Sequence, residues 1–169
     1  MNDLIYNQRM IPKDQWRYGF RSSAKVGCGW IAAHNALRLM GYRTDTKAMI
    51  RYFQRQLPLI HGNAGTSFWG PGMLFRRWGF PVTACVRRRN FDELAKKNDV
   101  CILFYRWRRG WRFGAHFVAL QYRNGRFTGY NTFRTSDGPD NYGESLEAFL
   151  KRNHFFGAVL YGISDKRNQ

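Results

Sequence analysis

The sequence predicts an α+β fold in which helices near the N-terminus pack on a mostly antiparallel sheet. Apolar residues recur at helical spacing in the first half of the chain, whereas short apolar runs with strand character dominate the second half. Asn124-Gly125, between two such runs, is a strong two-residue hairpin signal and indicates antiparallel pairing. Helices followed by strands, without strict alternation of the two, are typical of the α+β class.

The helices are recognised by their apolar periodicity and by their end signals. The first one carries an apolar stripe from Cys28 to Met40, and Gly41 is a natural C-terminal stop. The second begins near Asp45, with Thr44 or Asp45 as its N-cap, and ends before Pro58. Helices are predicted over residues 28–40, 45–56, 71–78, 91–97 and 144–152, with a glycine-rich loop over 61–70.

The strands are apolar runs bounded by turn residues, and they are predicted over residues 80–87, 100–107, 115–122, 126–133 and 155–163. A length of 169 residues suits one domain with a short extension. Residues 1–20 are irregular and polar-aromatic, so we expect an N-terminal arm there and a single domain over residues 21–169.

The chain is strongly basic, with a formal net charge of +17 from 28 Lys and Arg against 11 Asp and Glu. Between Arg17 and Asn90 there are 13 basic residues and a single acid, Asp45. Such a surface attracts nucleic acid, anionic membrane or an acidic protein, and charge alone does not choose among them.

Several other classes are not expected. No apolar run approaches the roughly 18 residues of a membrane span, and the N-terminus has no secretory signal pattern. Three cysteines form no disulfide framework, so a reducing, cytoplasmic location is expected. The Cys and His spacings fit no metal site, and the glycine-rich loop lacks a phosphate-loop ending, so no metal or cofactor is predicted.

Cys28 is the candidate nucleophile because it opens the first helix between two glycines. The helix dipole and free backbone N–H groups there favour a thiolate and can face a developing oxyanion. Gly27 and Gly29 are expected to let a substrate backbone approach closely. The alternative is a small residue at a helix start without any chemistry.

His116 is the candidate base, and hairpin geometry supplies a third residue. A two-residue turn at Asn124-Gly125 pairs Arg123 with Arg126 and therefore sets Val118 opposite Asn131. Asn131 then becomes a diagonal neighbour of His116 on one face, roughly 7–8 Å away at the backbone. Its side-chain carbonyl is expected to orient one imidazole nitrogen and leave the other for Cys28. Each residue also has a purely structural interpretation, as a satisfied strand histidine or a strand-end hydrogen bonder.

The sequence resembles the papain-like cysteine peptidase superfamily, and it looks closest to the bacteriocin-processing, double-glycine peptidase domains. The matching segments are Gly27-Cys28-Gly29-Trp30 with its following helix, Gly114-Ala115-His116-Phe117, and Tyr130-Asn131-Thr132. The resemblance implies a papain-like fold, in which the nucleophile helix packs on the sheet. It also implies a triad in which Cys28 attacks a carbonyl, His116 moves protons and Asn131 orients it.

One position departs from that family. Its members carry a glutamine about six residues before the cysteine as an oxyanion donor, and Ser22 stands there in this chain. Gln15 lies thirteen residues before the cysteine. Ser22 and Gln15 are therefore the candidate oxyanion donors, beside Ser23 or a backbone N–H.

Basic and aromatic residues alternate just before His116, and the predicted hairpin there carries four candidate anion-binding residues: Arg106, Arg108, Arg109 and Arg112. The plainer interpretation is a solvated hairpin with its tryptophans packed inward. Two functions follow from the sequence. One is a thiol hydrolase acting on a peptide or protein substrate, an acidic one included, with acyl transfer as a variant. The other is an inactive module on the same fold that binds an acidic protein or, as second choice, nucleic acid.

Overall fold

The structure is a computed structural model that describes residues 4–13, 15–55 and 66–168. The α-helices in those ranges are α1 (Ser23–Val26), α2 (Cys28–Leu39), α3 (Thr46–Arg55), α4 (Gly70–Arg77), α5 (Phe91–Lys96) and α6 (Leu146–Arg152). Among the described residues, none of the helices is both long and apolar enough to cross a bilayer.

The strands form a two-stranded hairpin and a six-stranded sheet. They are β1 (Arg17–Tyr18), β2 (Arg21–Ser22), β3 (Val82–Cys85), β4 (Val100–Arg109), β5 (Arg112–Arg123), β6 (Arg126–Tyr130), β7 (Asp140–Gly143) and β8 (Phe156–Ile163). The large sheet has the order β3-β8-β4-β5-β6-β7, and all of its neighbours are antiparallel. This arrangement confirms the predicted class of helices and a mostly antiparallel sheet.

The sheet separates two apolar layers, because successive strand residues face opposite sides. Ile102 of β4 and Phe117 of β5 belong to the layer shared with α2, α3 and α4. Leu103 and Val118, their neighbours along the same strands, belong to the layer shared with α5 and α6. Helix α2 is buried along most of its length and therefore lies directly on the strand that carries His116.

The predicted hairpin register is confirmed over the length of β6. Arg123 pairs with Arg126 and Ala119 pairs with Tyr130, as a two-residue turn requires. The strand predicted over residues 126–133 is wrong beyond Tyr130, because Asn131 has a left-handed φ of 66° that turns the chain out of the sheet. The pairing that set Val118 opposite Asn131 is therefore absent.

The predicted helices all form, with ends that differ by up to two residues, although Gln56 and residues 61–65 of the glycine-rich loop lie outside the described residues. Sequence periodicity missed β1, β2, α1 and β7, which have two to four residues each. Elements this short contain too little of a period to be recognised and depend on tertiary contacts. The hairpin of β1 and β2 spans the boundary expected at residue 20, and the two-part division itself stays a prediction.

Candidate active site

Cys28 is the first residue of α2, and its side chain is partly buried. The chain enters α2 almost without a break, because the Gly27 N–H donates to the Ser23 carbonyl of α1 at 2.9 Å. Within the described residues no side chain caps α2, so the first backbone N–H groups are left for the cysteine. The N–H groups of Phe117, Gly29 and Cys28 itself each favour the thiolate.

Burial nevertheless dominates the acidity of this cysteine. It raises the pKa of the Cys28 thiol to about 11, against the smaller opposing effect of the three N–H groups. The expectation of a resting thiolate is therefore wrong for the free protein. The thiolate loses its hydration when it is buried, and this loss destabilises it by more free energy than the partial positive charges at the helix start stabilise it.

The glycines beside Cys28 serve internal packing, which corrects the expectation that they admit a substrate backbone. A Cβ at Gly27 would lie 2.6 Å from the Ser23 carbonyl oxygen and 2.7 Å from Nε1 of Trp30. A Cβ at Gly29 would overlap the side chain of Thr66, 2.7 Å from its Cγ2. Both glycines are buried, so only a hydrogen fits where a side chain would point.

His116 lies on β5 opposite Tyr105 of β4, and its imidazole is held by the main chain. Its Nε2 lies 2.6 Å from the carbonyl oxygen of Asn131. A carbonyl only accepts, so Nε2 carries the hydrogen, and in the neutral ring Nδ1 is left with a free lone pair. This single contact therefore selects the tautomer in which Nδ1 is the base.

The imidazole is kept neutral by its surroundings. Burial lowers the pKa of His116 below its ordinary value of 6.5, and the positive charge of Arg134 acts in the same direction. The hydrogen bond to Asn131 opposes this shift by favouring the imidazolium. At neutral pH the free protein therefore pairs a neutral thiol with a neutral base.

Cys28 lies close to the strand that carries His116. The Phe117 N–H acts on the Cys28 sulfur, so the peptide bond that follows His116 lies beside that sulfur. Burial is the main cause of the raised pKa of Tyr18 and Tyr105, and Cys28 adds to it in both. Although both residues lie in the described part of the chain, no hydrogen bond joins the Cys28 sulfur to the His116 ring.

The Asn131 side chain was expected to orient the ring, but among the described residues it makes no hydrogen bond to His116, and the main-chain carbonyl of Asn131 holds the ring instead. Asn131 is buried, and its Oδ1 accepts the backbone N–H of Gln8 at 2.8 Å. Its Nδ2 donates to Oε1 of Gln8 at 3.5 Å, and Nε2 of Gln8 donates to the Ala24 carbonyl at 3.3 Å. Gln8 was missed because nothing in the sequence marks it, 123 residues from its partner.

The side chains of the two candidate oxyanion donors, Ser22 and Gln15, form no hydrogen bond with the Cys28 sulfur in the described structure. Ser22 caps α1, where its Oγ accepts the Ala24 N–H at 3.2 Å. Gln15 is exposed, and its backbone N–H donates to the Pro12 carbonyl at 3.1 Å. Within the described ranges neither side chain hydrogen-bonds to Cys28.

The four candidate anion-binding arginines are exposed at the end of the hairpin of β4 and β5. Trp107 packs inward as expected, with its ring over Gly114, where a Cβ would lie 2.6 Å from its Cζ2. Trp111 contradicts that expectation, because it stands in the turn with 97% of its surface exposed. A two-residue turn gives its ring no strand partner to pack on.

Comparisons with known proteins support the architecture. The sequence matches no protein-family model and no curated protein. Among solved structures, the chain is similar to the peptidase domain of Streptococcus ComA, a bi-functional ABC transporter involved in a quorum-sensing pathway. The TM-score is 0.54 at 12% sequence identity, over 82% of this chain and 91% of that one. At this identity the likeness concerns the fold alone, and the chain has the papain-like fold of that peptidase domain.

Proposed function

We propose that this protein is a thiol hydrolase that cleaves a peptide or amide bond through an acyl-enzyme on Cys28. The observation that carries the proposal is the 2.6 Å contact between His116 Nε2 and the Asn131 carbonyl. It leaves Nδ1 as a base on the strand against which the Cys28 sulfur lies. The fold of a known peptidase domain supports the same assignment.

In the proposed reaction, Nδ1 of His116 takes the thiol proton as the Cys28 sulfur attacks the substrate carbonyl carbon. The imidazolium that forms keeps its Nε2–H on the Asn131 carbonyl, which favours the charged ring. It then gives the Nδ1 proton to the leaving amine, and the acyl group stays on sulfur. A water, deprotonated by the same nitrogen, hydrolyses the thioester and restores the thiol.

The oxyanion of each tetrahedral intermediate needs donors, and we assign that role first to the backbone N–H groups of Cys28 and Gly29. Ser22 and Gln15 remain the candidate side-chain donors. Ser22 caps α1 through its oxygen, so its hydroxyl hydrogen is available to a substrate.

A search for Cys28-dependent cleavage tests this function. The protein is incubated with a library of peptides, and new termini are identified by mass spectrometry. Cys28→Ala and His116→Ala are expected to reduce cleavage by at least about a hundredfold. Cys85→Ala is the matched control, because Cys85 is a partly buried thiol on β3 and is expected to leave cleavage unchanged.

One observation favours the second candidate, a catalytically weak or inactive module that binds an acidic protein or nucleic acid. Burial raises the pKa of Cys28 to about 11, so the resting nucleophile is poor. Cleavage products that persist unchanged in Cys28→Ala, or no products at all from the unmodified protein, would refute the hydrolase and leave this candidate. Products joined to an added amine would indicate acyl transfer.

A further inference from the structure

The hairpin of β4 and β5 continues beyond the body of the sheet as a two-stranded ribbon. The last described pair between β4 and β8 is Arg106 with Phe156, and the last pair between β5 and β6 is Ala119 with Tyr130. Residues 107–109 and 112–114 therefore pair only with each other. Among the described residues the ribbon has no further strand neighbour, and Arg108, Arg109 and Arg112 on it are exposed.

One face of this ribbon leads directly away from His116. Tyr105 pairs with His116 and Arg109 pairs with Arg112, and the pair between them joins Trp107 to Gly114. Residues two apart on a strand share a face, so all three pairs lie on the same side. The pair Arg109/Arg112 lies about 13 Å along that face from the pair Tyr105/His116, because four strand residues separate the two pairs and each residue adds about 3.3 Å.

The two arginines at the end of this face have no partner for their charge. Among the described residues, ion pairs join Lys97 to Glu93 and Arg167 to Asp165, and neither involves the ribbon. Within that same part of the chain, the guanidinium groups of Arg109 and Arg112 make no hydrogen bond, and both side chains are exposed.

The positive field of the ribbon extends to the candidate active site. Burial is the main cause of the raised pKa of Tyr105, and Arg109 opposes it by favouring the phenolate. Arg134 acts on His116 in the same sense, because its charge disfavours the imidazolium. A ligand that reaches from the site to the ribbon tip therefore passes through positive potential at both ends.

We propose that this ribbon face is a substrate-binding subsite that selects an acidic side chain about four extended residues from the part of the substrate that lies at His116. Arg109 and Arg112 form the anion-binding end of this subsite. Trp107 covers the distance between them and His116 with apolar surface. This inference rests on the proposed function, and it adds the chemical class of the substrate, a peptide with acidic residues.

An acidic peptide fits this face better than nucleic acid does. Stacking of bases is strongest on aromatic rings that are fully open to solvent, and the ring on this face, that of Trp107, is partly buried and has one side packed over Gly114. The open rings lie elsewhere: Trp111 is in the turn, and Phe113 pairs with Arg108 on the opposite face. Two opposed guanidinium groups suit carboxylates in a bidentate arrangement.

Binding to the Cys28→Ala protein tests the inference without requiring catalysis. The probes are a fluorescein-labelled eight-residue Glu/Ala peptide, its Gln/Ala counterpart and an eight-nucleotide thymidine strand, each measured by anisotropy. We expect the Glu/Ala peptide to bind at least about tenfold more tightly than the Gln/Ala peptide at low salt, because the ribbon charges are unpaired. Added salt is expected to reduce this difference.

The matched variants are R109A/R112A and R106A/R108A, which remove the same charge from opposite faces of the β4–β5 hairpin. R109A/R112A is expected to weaken binding of the Glu/Ala peptide about tenfold, and R106A/R108A less than about threefold. The charge reversal R109E/R112E is expected to shift the preference to a Lys/Ala peptide. All these positions are exposed, and circular dichroism confirms that each variant is folded.

Three results would overturn the subsite: equal affinity for the Glu/Ala and Gln/Ala peptides, equal losses in the two double variants, or tighter binding of the thymidine strand through the same arginines. A chain that cleaves nothing but binds the acidic peptide through Arg109 and Arg112 would refute the hydrolase alone. Cleavage that ignores acidic residues would refute the subsite alone.

Discussion

Replacing Asn131 by glycine or by alanine separates the main-chain carbonyl of this residue from its side chain. His116 is held by the carbonyl, which both substitutions retain. A φ of 66° costs alanine about 1 kcal/mol, because its Cβ clashes in the left-handed region, and glycine adopts this φ freely. Asn131→Gly therefore keeps the acceptor in place, whereas Asn131→Ala moves it or strains it.

The magnitudes follow from the contacts. Both variants lose the 2.8 Å hydrogen bond from the Gln8 N–H to Oδ1 of Asn131, worth about 1 kcal/mol of folding stability. Asn131→Ala is expected to lose about 1 kcal/mol more, which lowers its Tm by a further 2–4 °C or so for a domain of this size. In kcat/KM, Asn131→Gly is expected to lose less than about tenfold, and Asn131→Ala clearly more.

The assay combines thermal unfolding, kcat/KM on a peptide identified in the cleavage search, and the tautomer of His116 by long-range proton–nitrogen NMR. The NMR measurement does not depend on activity and is expected to find the hydrogen on Nε2 in Asn131→Gly. If the two folded variants lose activity equally and by more than about a hundredfold, the side-chain amide is the orienting group. The reasoning from the carbonyl would then be refuted.

Three further predictions concern the same site. The acid limb of kcat/KM is expected below pH 6.5, because burial lowers the pKa of His116, and an acid limb above pH 6.5 would contradict this expectation. The unfolded chain binds the His116 proton more readily than the folded chain does, so folding stability is also expected to fall as the pH drops through this range. Gly29→Ala is expected to reduce folding stability by about 1–3 kcal/mol through overlap with Thr66, and Thr66→Gly is expected to restore it. Gly138→Ala is the control, because a Cβ there has nothing within 4 Å, and it is expected to change the denaturation midpoint little. Equal effects of the two alanine substitutions would contradict this explanation by packing. Gln8→Ala is expected to reduce folding stability by about 1–2 kcal/mol and kcat/KM several-fold, and to leave KM unchanged. The reason is that the Gln8 side chain hydrogen-bonds to Asn131 and does not contact the substrate. A change confined to KM would instead assign Gln8 to substrate binding.

Local signals in the sequence were sufficient for much of the fold. The apolar stripe and Gly41 predicted α2 to within one residue, and Asn124-Gly125 predicted the register of β5 with β6. Both signals act over a few residues, where helical periodicity and turn chemistry dominate the free energy. They also predicted the residue types of the candidate site in the order Cys28, His116 and Asn131, whose catalytic roles stay a proposal.

Tertiary structure decided how those residues work together. Periodicity continued β6 past Tyr130, but Asn131 leaves the sheet with a left-handed φ, and its side chain binds Gln8, which is distant in sequence. The helix start predicted a thiolate at Cys28, but the partly buried thiol packs beside β5, and loss of contact with water raises its pKa to about 11.

The sequence by itself therefore determined the class of fold, helix α2 that begins at the candidate nucleophile, and the hairpin beside the candidate base. Only the tertiary structure decided which atom of Asn131 holds His116, which proton state Cys28 has, and that the Trp107 ring packs over Gly114 while Trp111 is exposed. The physical reason is range. Propensity and turn geometry are set by neighbours in sequence, whereas desolvation and side-chain hydrogen bonds depend on segments that meet only after folding.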